Sequence, residues 1–282
     1  MILIKKQIEQ YLNKKGFIRP DRVIDFRGLV SDPLDALIRS GVHPCLVVVP
    51  LTFCRSFGPL GLKCCPSSRN PFIQTLKQLH DGDKSKGDDL PLQKYYQKFT
   101  PKNVAQLFDI KGTVSKNLLY PANTYKYPWQ GYPSMKLLEK RRKRYKKNNV
   151  CNSILNDQHF GPQAPENIKK HIERLLKLKN LFENRSYDSR DFMNDEISAD
   201  VLVSKNEPVY RIKNGHHRVA VLSYLGYNNI EIKINSKQVY YRDGYHNWIG
   251  VMENVFKEEQ ALQVFDNVYE GERYSVLDGI FD

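Results

Sequence analysis

Five consecutive residues, Asn214, Gly215, His216, His217 and Arg218, hold the densest group of chemically able side chains in this chain. Arg218 offers a planar fork that can bind a phosphate bidentately. His216 and His217 can donate hydrogen bonds and, in water, titrate near neutrality. Gly215 permits a left-handed backbone or the close approach of a ligand. The five stand between a strand-like run, "VYRIK", and an apolar stretch, "VAVLSYLG", that stops at Gly226. They therefore occupy the start of a helix, where free N–H groups and the positive end of the dipole converge. Cationic side chains are disfavoured at that end without an anion, so the arrangement predicts an anion site, phosphate above all. The competing account is that one histidine caps a strand carbonyl and Arg218 pairs with a core carboxylate.

Such a turn needs a frame. "ADVLV" and "VYRIK" flank "SKNEP" and predict a hairpin. "VAVLSYLG" is apolar nearly all round, so the helix it forms must be buried and must end at the glycine. "IEIKI" alternates, with Ile230, Ile232 and Ile234 on one face, as in a strand with one face buried. The unit read from residues 199–234 is hairpin, tight turn, buried helix, strand.

Upstream, "NIKKHIERLLKLKNLF" predicts an amphipathic helix buried through Ile168, Ile172, Leu175, Leu176 and Leu181, with Pro165 in its first turn. His171 on that helix reads as a packing residue. The loop before it contains Asp157 and His159. In the first half of the chain, residues 3–15 have helical spacing, and "CLVVVPLTF" reads as a buried strand. Residues 58–68 read as irregular, "NPFIQTLKQLH" as a helix and 81–89 as a mobile surface loop. "LQKYYQKFTPKNVAQLF" reads as two short helices broken at Thr100-Pro101. "YPANTYKYPWQGYP", residues 120–133, is too rich in proline and aromatics for regular structure and predicts an ordered connection packed over the next domain. The resulting division is an extension of unknown role over 1–130, a principal domain over 131–240, and an acidic segment over 241–282 packed upon it.

The formal charge of +13 over 282 residues favours a polyanionic or phosphate-bearing partner. Residues 236–282 hold four Lys/Arg and nine Asp/Glu, so the tail itself is a poor nucleic-acid-binding appendage. Eight basic residues between Lys136 and Lys147 offer a nucleic-acid or other polyanion contact, or else a solvated helix face. Five cysteines, Cys64 and Cys65 adjacent, make neither a disulfide framework nor a metal set, so no metal ligands are predicted. The absence of an apolar run of about 18 residues argues against a transmembrane segment. The N-terminus is too polar for a secretory signal, so a cytoplasmic location is expected.

"IKNGHHRVAVLSYLGYNNIEIKI" resembles the signature of the ParB/sulfiredoxin superfamily, over residues 200–235 specifically and over 150–200 more loosely. The resemblance implies an α/β (α+β) fold, a small mixed sheet with helices in the C-terminal half, here preceded by a mixed α/β extension. It also implies that Asn214, Gly215, His216, His217 and Arg218 hold the phosphates of a nucleotide: ATP, ADP or CTP. The likeness is closest to the free-serine-kinase branch, whose signature reads Asp-Gly-His-His-Arg; Asn214 departs from it. Sulfiredoxins carry a cysteine in the turn where His216 stands, which disfavours sulfinic acid reduction. Chromosome-partitioning members carry Glu-Arg in place of His216-His217 and a following DNA-reading domain, for which only the acidic tail remains.

The function implied is phosphoryl transfer from a nucleotide to a small hydroxyl compound or a sugar or glycan. Asp157, His159, His217 and Arg218 are the expected catalytic residues, and Mg²⁺ accords with the general chemistry of phosphoryl transfer. The alternatives are a nucleotide- or nucleic-acid-binding module without chemistry, and a nuclease.

Overall fold

The computed structural model describes residues 23–80, 90–131, 159–192 and 195–271, together with 278 and 280. The expected helix at 3–15, the loop at 81–89, the basic run at 136–147, Tyr132 and Asp157 lie outside the described residues. Within them the chain is mixed α/β. In order come β1 (Ile24–Asp25), α1 (Pro33–Ser40), β2 (Cys45–Pro50), β3 (Cys54–Ser56), β4 (Leu62–Lys63), α2 (Pro71–His80), α3 (Pro91–Lys98) and α4 (Val104–Leu107). There follow α5 (Pro165–Asn184), β5 (Ser198–Ser204), β6 (Glu207–Asn214), α6 (His216–Tyr224), β7 (Asn229–Ile234), β8 (Val239–Tyr241), α7 (Ile249–Met252) and α8 (Glu258–Glu270).

The eight strands form one mixed sheet in the order β1-β2-β7-β5-β6-β3-β4, with β8 continuing beside β5 where β7 leaves it. The hairpin β5–β6 is antiparallel and closes on Lys205 and Asn206, both at positive φ. That is the backbone of a two-residue turn matched to strand twist. Strands from either side of residue 131 share the sheet: β2 runs antiparallel to β7, and β3 runs parallel to β6. A boundary at 131 therefore cuts a hydrogen-bonded unit, because the edges of the hairpin unit are completed by strands from the first half of the chain.

Alternation along the strands divides the core in two. Ala199, Val201, Val203, Tyr210 and Ile212 pack on one face, where α6 lies under α2 and α5. Leu202 packs on the other face with Trp129, Trp248, Phe256 and Phe265, supplied by the 118–129 segment, α7 and α8. The aromatic connection is ordered, as its composition predicts: Tyr127 stacks on Trp129 at 4.8 Å, and Trp129 meets Trp248 edge-on at 5.5 Å. Helix α6 is buried from His216 to Ser223, which explains its unpatterned apolar sequence. Helix α5 buries Ile168, Leu175 and Phe182, while Leu176 faces outward. Residues 58–68, expected to be irregular, contain β4. Among the described residues no helix is long and apolar enough to cross a membrane.

Candidate functional site

Because β3 and β6 are parallel, both end at the same edge of the sheet. Phe57 and Gly58 leave the end of β3 there, and the Asn214-Gly215 turn leaves β6 for α6. Gly215 sits at φ +92°, and a Cβ on it would come within 2.8 Å of Ile197 Cγ1. The turn thus requires glycine both for its backbone and for its packing. The start of α6 lies beside a cavity of about 320 Å³ whose wall includes Tyr125, Lys126, His159, Arg211, Lys213 and His216. That volume falls at the lower end of the range for small-molecule sites, roughly 300–1,000 Å³.

The wall is cationic. Among the described residues Arg211, Lys213 and Lys126 contribute to it and no carboxylate does. Asp200 lies beneath, fully buried, ion-paired with Arg211 and 3.3 Å from Lys213 Nζ. One carboxylate thus serves both Arg211 and Lys213. The Arg211 guanidinium lies 4.2 Å over the Tyr127 ring, a contact worth about 2 kcal/mol when desolvated. Burial opposes its charge, but Tyr127 and Asp200 outweigh burial and raise its pKa, so it is a permanent cation. Its Nε is buried without a hydrogen-bond partner, a costly state for an ionised donor.

His216 belongs to the wall, but as a neutral group. Its Nδ1 accepts the Phe57 N–H at 3.4 Å. Burial, and then the Arg211 charge, bring its pKa down to about 4. His159 reaches the same wall, its ring 4.8 Å from that of His216 and its carbonyl accepting the Tyr95 hydroxyl at 2.5 Å. Burial, His216 and Arg211 hold its pKa well below the usual value. The expectation that the paired histidines titrate near neutrality fails, since desolvation among cations disfavours the imidazolium.

The other expected residues stand behind the wall. His217 Nε2 is 2.9 Å from His171 Nδ1, and its ring stacks on Phe72 at 4.5 Å. Burial, then His171, take its pKa down to about 2. Arg218, 2% exposed, lies 4.6 Å over the Phe192 ring and 3.3 Å from the Asp195 carboxylate, with Nη1 buried and unpartnered. Burial lowers its pKa, and Asp195 opposes the shift. Asn214 donates through Nδ2 to Asp195 Oδ1 at 2.7 Å and to the Glu196 carbonyl at 3.3 Å. An aspartate there would oppose the Asp195 carboxylate, so the amide suits its neighbour.

Arg211 and Lys213, the principal cations of the wall, were not among the expected site residues. Their signal is the alternation of "VYRIK": Tyr210 and Ile212 are core-facing, so Arg211 and Lys213 share the opposite face. Among the described residues no group of three His, Cys, Asp or Glu side chains could hold a metal ion. The wall, among the described residues, offers cations suited to an anion and no carboxylate to hold Mg²⁺.

The fit around His159 makes one sharp prediction. Gly58 has φ +57°, and a Cβ on it would overlap the His159 ring. Gly58→Ala is expected to displace His159, lower the thermal midpoint by several degrees, and weaken binding at the cavity. Thermal melts and ligand titrations of this one variant check both effects; unchanged values in both would contradict the packing.

A scan against protein-family models found no match, and searches of curated proteins and solved structures found none either.

Proposed function

We propose that this cavity binds the phosphates of a nucleotide, and that the chain transfers a phosphoryl group to a hydroxyl compound. One observation carries the reading: Arg211, Lys213 and Lys126 converge on a cavity beside the start of a buried helix, with no carboxylate among the described residues of its wall. Oriented cations in a partly water-excluded site stabilise phosphoryl oxygens without reorganising, which is the main contribution a protein makes to this reaction. Tyr125 borders the cavity and gives a nucleobase aromatic surface, while the Tyr127 ring is taken up by Arg211 and Trp129. His159 and His216 stand in the wall as neutral imidazoles and add no positive charge to it. Mg²⁺, where it takes part, would enter with the nucleotide's phosphates. The resemblance to the ParB/sulfiredoxin superfamily implies phosphate binding by residues 214–218; of these His216 alone touches the cavity, and the proposed contacts fall instead to Arg211, Lys213 and Lys126.

The test is calorimetric titration of ATP, ADP and CTP into the wild type, Lys213→Met and Arg218→Ala, with nucleoside diphosphate release followed separately. Wild type is expected to bind at least one nucleotide. Lys213→Met should bind it about tenfold more weakly, as the loss of one charge-assisted contact implies. Arg218→Ala should keep most of the affinity but melt earlier, since it loses a buried side chain behind the wall. Equal affinities of wild type and Lys213→Met would remove the cavity from consideration. Binding without diphosphate release in the presence of any hydroxyl acceptor would favour a binding module over a transferase.

A further inference from the structure

Lys213 borders a second cavity. It measures about 460 Å³ and is lined by Lys213, Lys233, Glu196, Ser198, Asn235 and Gln238, with Val23, Pro44 and Ile234 as apolar surface. It opens where β6 and β7 end and β2 and β5 begin. Its charges are already paired. Lys233 Nζ lies 2.7 Å from Glu196, and Lys213 Nζ lies 3.3 Å from Asp200. The second cavity therefore presents donors and acceptors in balance. Two ammonium groups, one carboxylate, two amides and a hydroxyl can together hydrogen-bond several hydroxyls, each of which both donates and accepts. The apolar surface of Val23, Pro44 and Ile234 suits the C–H face of a ring.

We infer that the second cavity is the acceptor site and takes a neutral polyhydroxy compound, a sugar. The acceptor role rests on the phosphate reading of the first cavity; the sugar binding does not. Lys213, common to both walls, stands where the transferred group must pass. An acceptor hydroxyl oxygen forms a bond to the terminal phosphorus of a nucleoside triphosphate, and the bond from that phosphorus to its bridging oxygen breaks. The nucleoside diphosphate leaves with the bridging electron pair, and the hydroxyl proton passes to the Glu196 carboxylate. Glu196 is then a catalytic residue supplied by the loop that Asn214 holds in place.

Saturation-transfer NMR on the full chain, with glucose, galactose, mannose, ribose and N-acetylglucosamine as probes, tests the site. At least one should bind the wild type. Gln238→Leu and Lys233→Met should each weaken that sugar at least tenfold, with ATP affinity unchanged and with circular dichroism and melting confirming the fold. Glu196→Gln should retain sugar binding while diphosphate release falls at least a hundredfold in kcat and KM for the sugar changes little. The proposal is overturned if no probe binds, or if both lining variants bind the sugar as wild type does. Sugar binding that the lining variants weaken, in a protein that binds no nucleotide, would uphold the sugar site and overturn its acceptor role and the phosphate reading together.

Discussion

Arg211→Met is expected to abolish measurable nucleotide binding and to destabilise the protein by about 3–5 kcal/mol. Both effects arise from one geometry. The guanidinium is buried over Tyr127 and ion-paired with Asp200 beneath the cavity, and Arg211 contributes to the cavity wall. Methionine fills the volume but leaves the Asp200 carboxylate in a buried place, with Lys213 at 3.3 Å as its remaining cation. A buried charge that loses a partner is costly, whereas loss of both partners is tolerated. The double variant Asp200→Asn with Arg211→Met should therefore recover most of the stability and none of the binding. A binding loss of about a hundredfold or more matches removal of a doubly hydrogen-bonding cation. Urea denaturation and calorimetry on the two variants separate the effects; recovery of binding in the double variant would show that Arg211 acts only through the fold.

Acidification is expected to weaken the fold well above the pH at which most carboxylates protonate. Burial holds His216 near 4 and His217 near 2, and lowers His159 and His171 as well. Each folded pKa lies below the ordinary histidine value, so the unfolded chain binds more protons than the native one in the interval between. The stabilisation is complete above about pH 6.5 and is lost as pH falls toward 4. For His216 alone, a fall from 6.5 to about 4 corresponds to about 3 kcal/mol. Arg211 faces His216, and Arg174 faces the His171–His217 pair, so protonation there adds charge beside existing cations. Urea midpoints taken at intervals from pH 7.5 to 4.5 should fall steeply. His216→Gln retains a donor and an acceptor without titrating, and should flatten part of that slope. A midpoint constant across the interval would show that these imidazoles are reached by water.

Much of the frame was legible in the sequence because it is local. The alternation of Ile230, Ile232 and Ile234, the apolar run ending at Gly226 and the hairpin around residues 204–208 each report on neighbours a few residues apart. The structure places β7, α6 and the β5–β6 hairpin accordingly. The site was legible only in part. His216 and His159 line the first cavity, while His217 and Arg218 face inward. Residues of one type and spacing at a helix start do not reveal which of them turns toward solvent, because that depends on what covers the helix. Here α2 and α5 cover it, through Phe72 and His171.

By itself the sequence determined a strand–turn–helix–strand unit with a glycine at 215 that permits a left-handed backbone, since helix and strand periods and turn chemistry act over short range. It also determined that cationic and imidazole groups would gather at one helix end. Only the tertiary structure decided which of them meet a ligand. The parallel seating of β3 beside β6 brings Gly58 and His159 to Arg211 and Lys213, and residues 125–130 close over them. Those contacts join segments far apart in the chain, and they form because the hairpin's edges and its second face must be covered, a demand that no local period records.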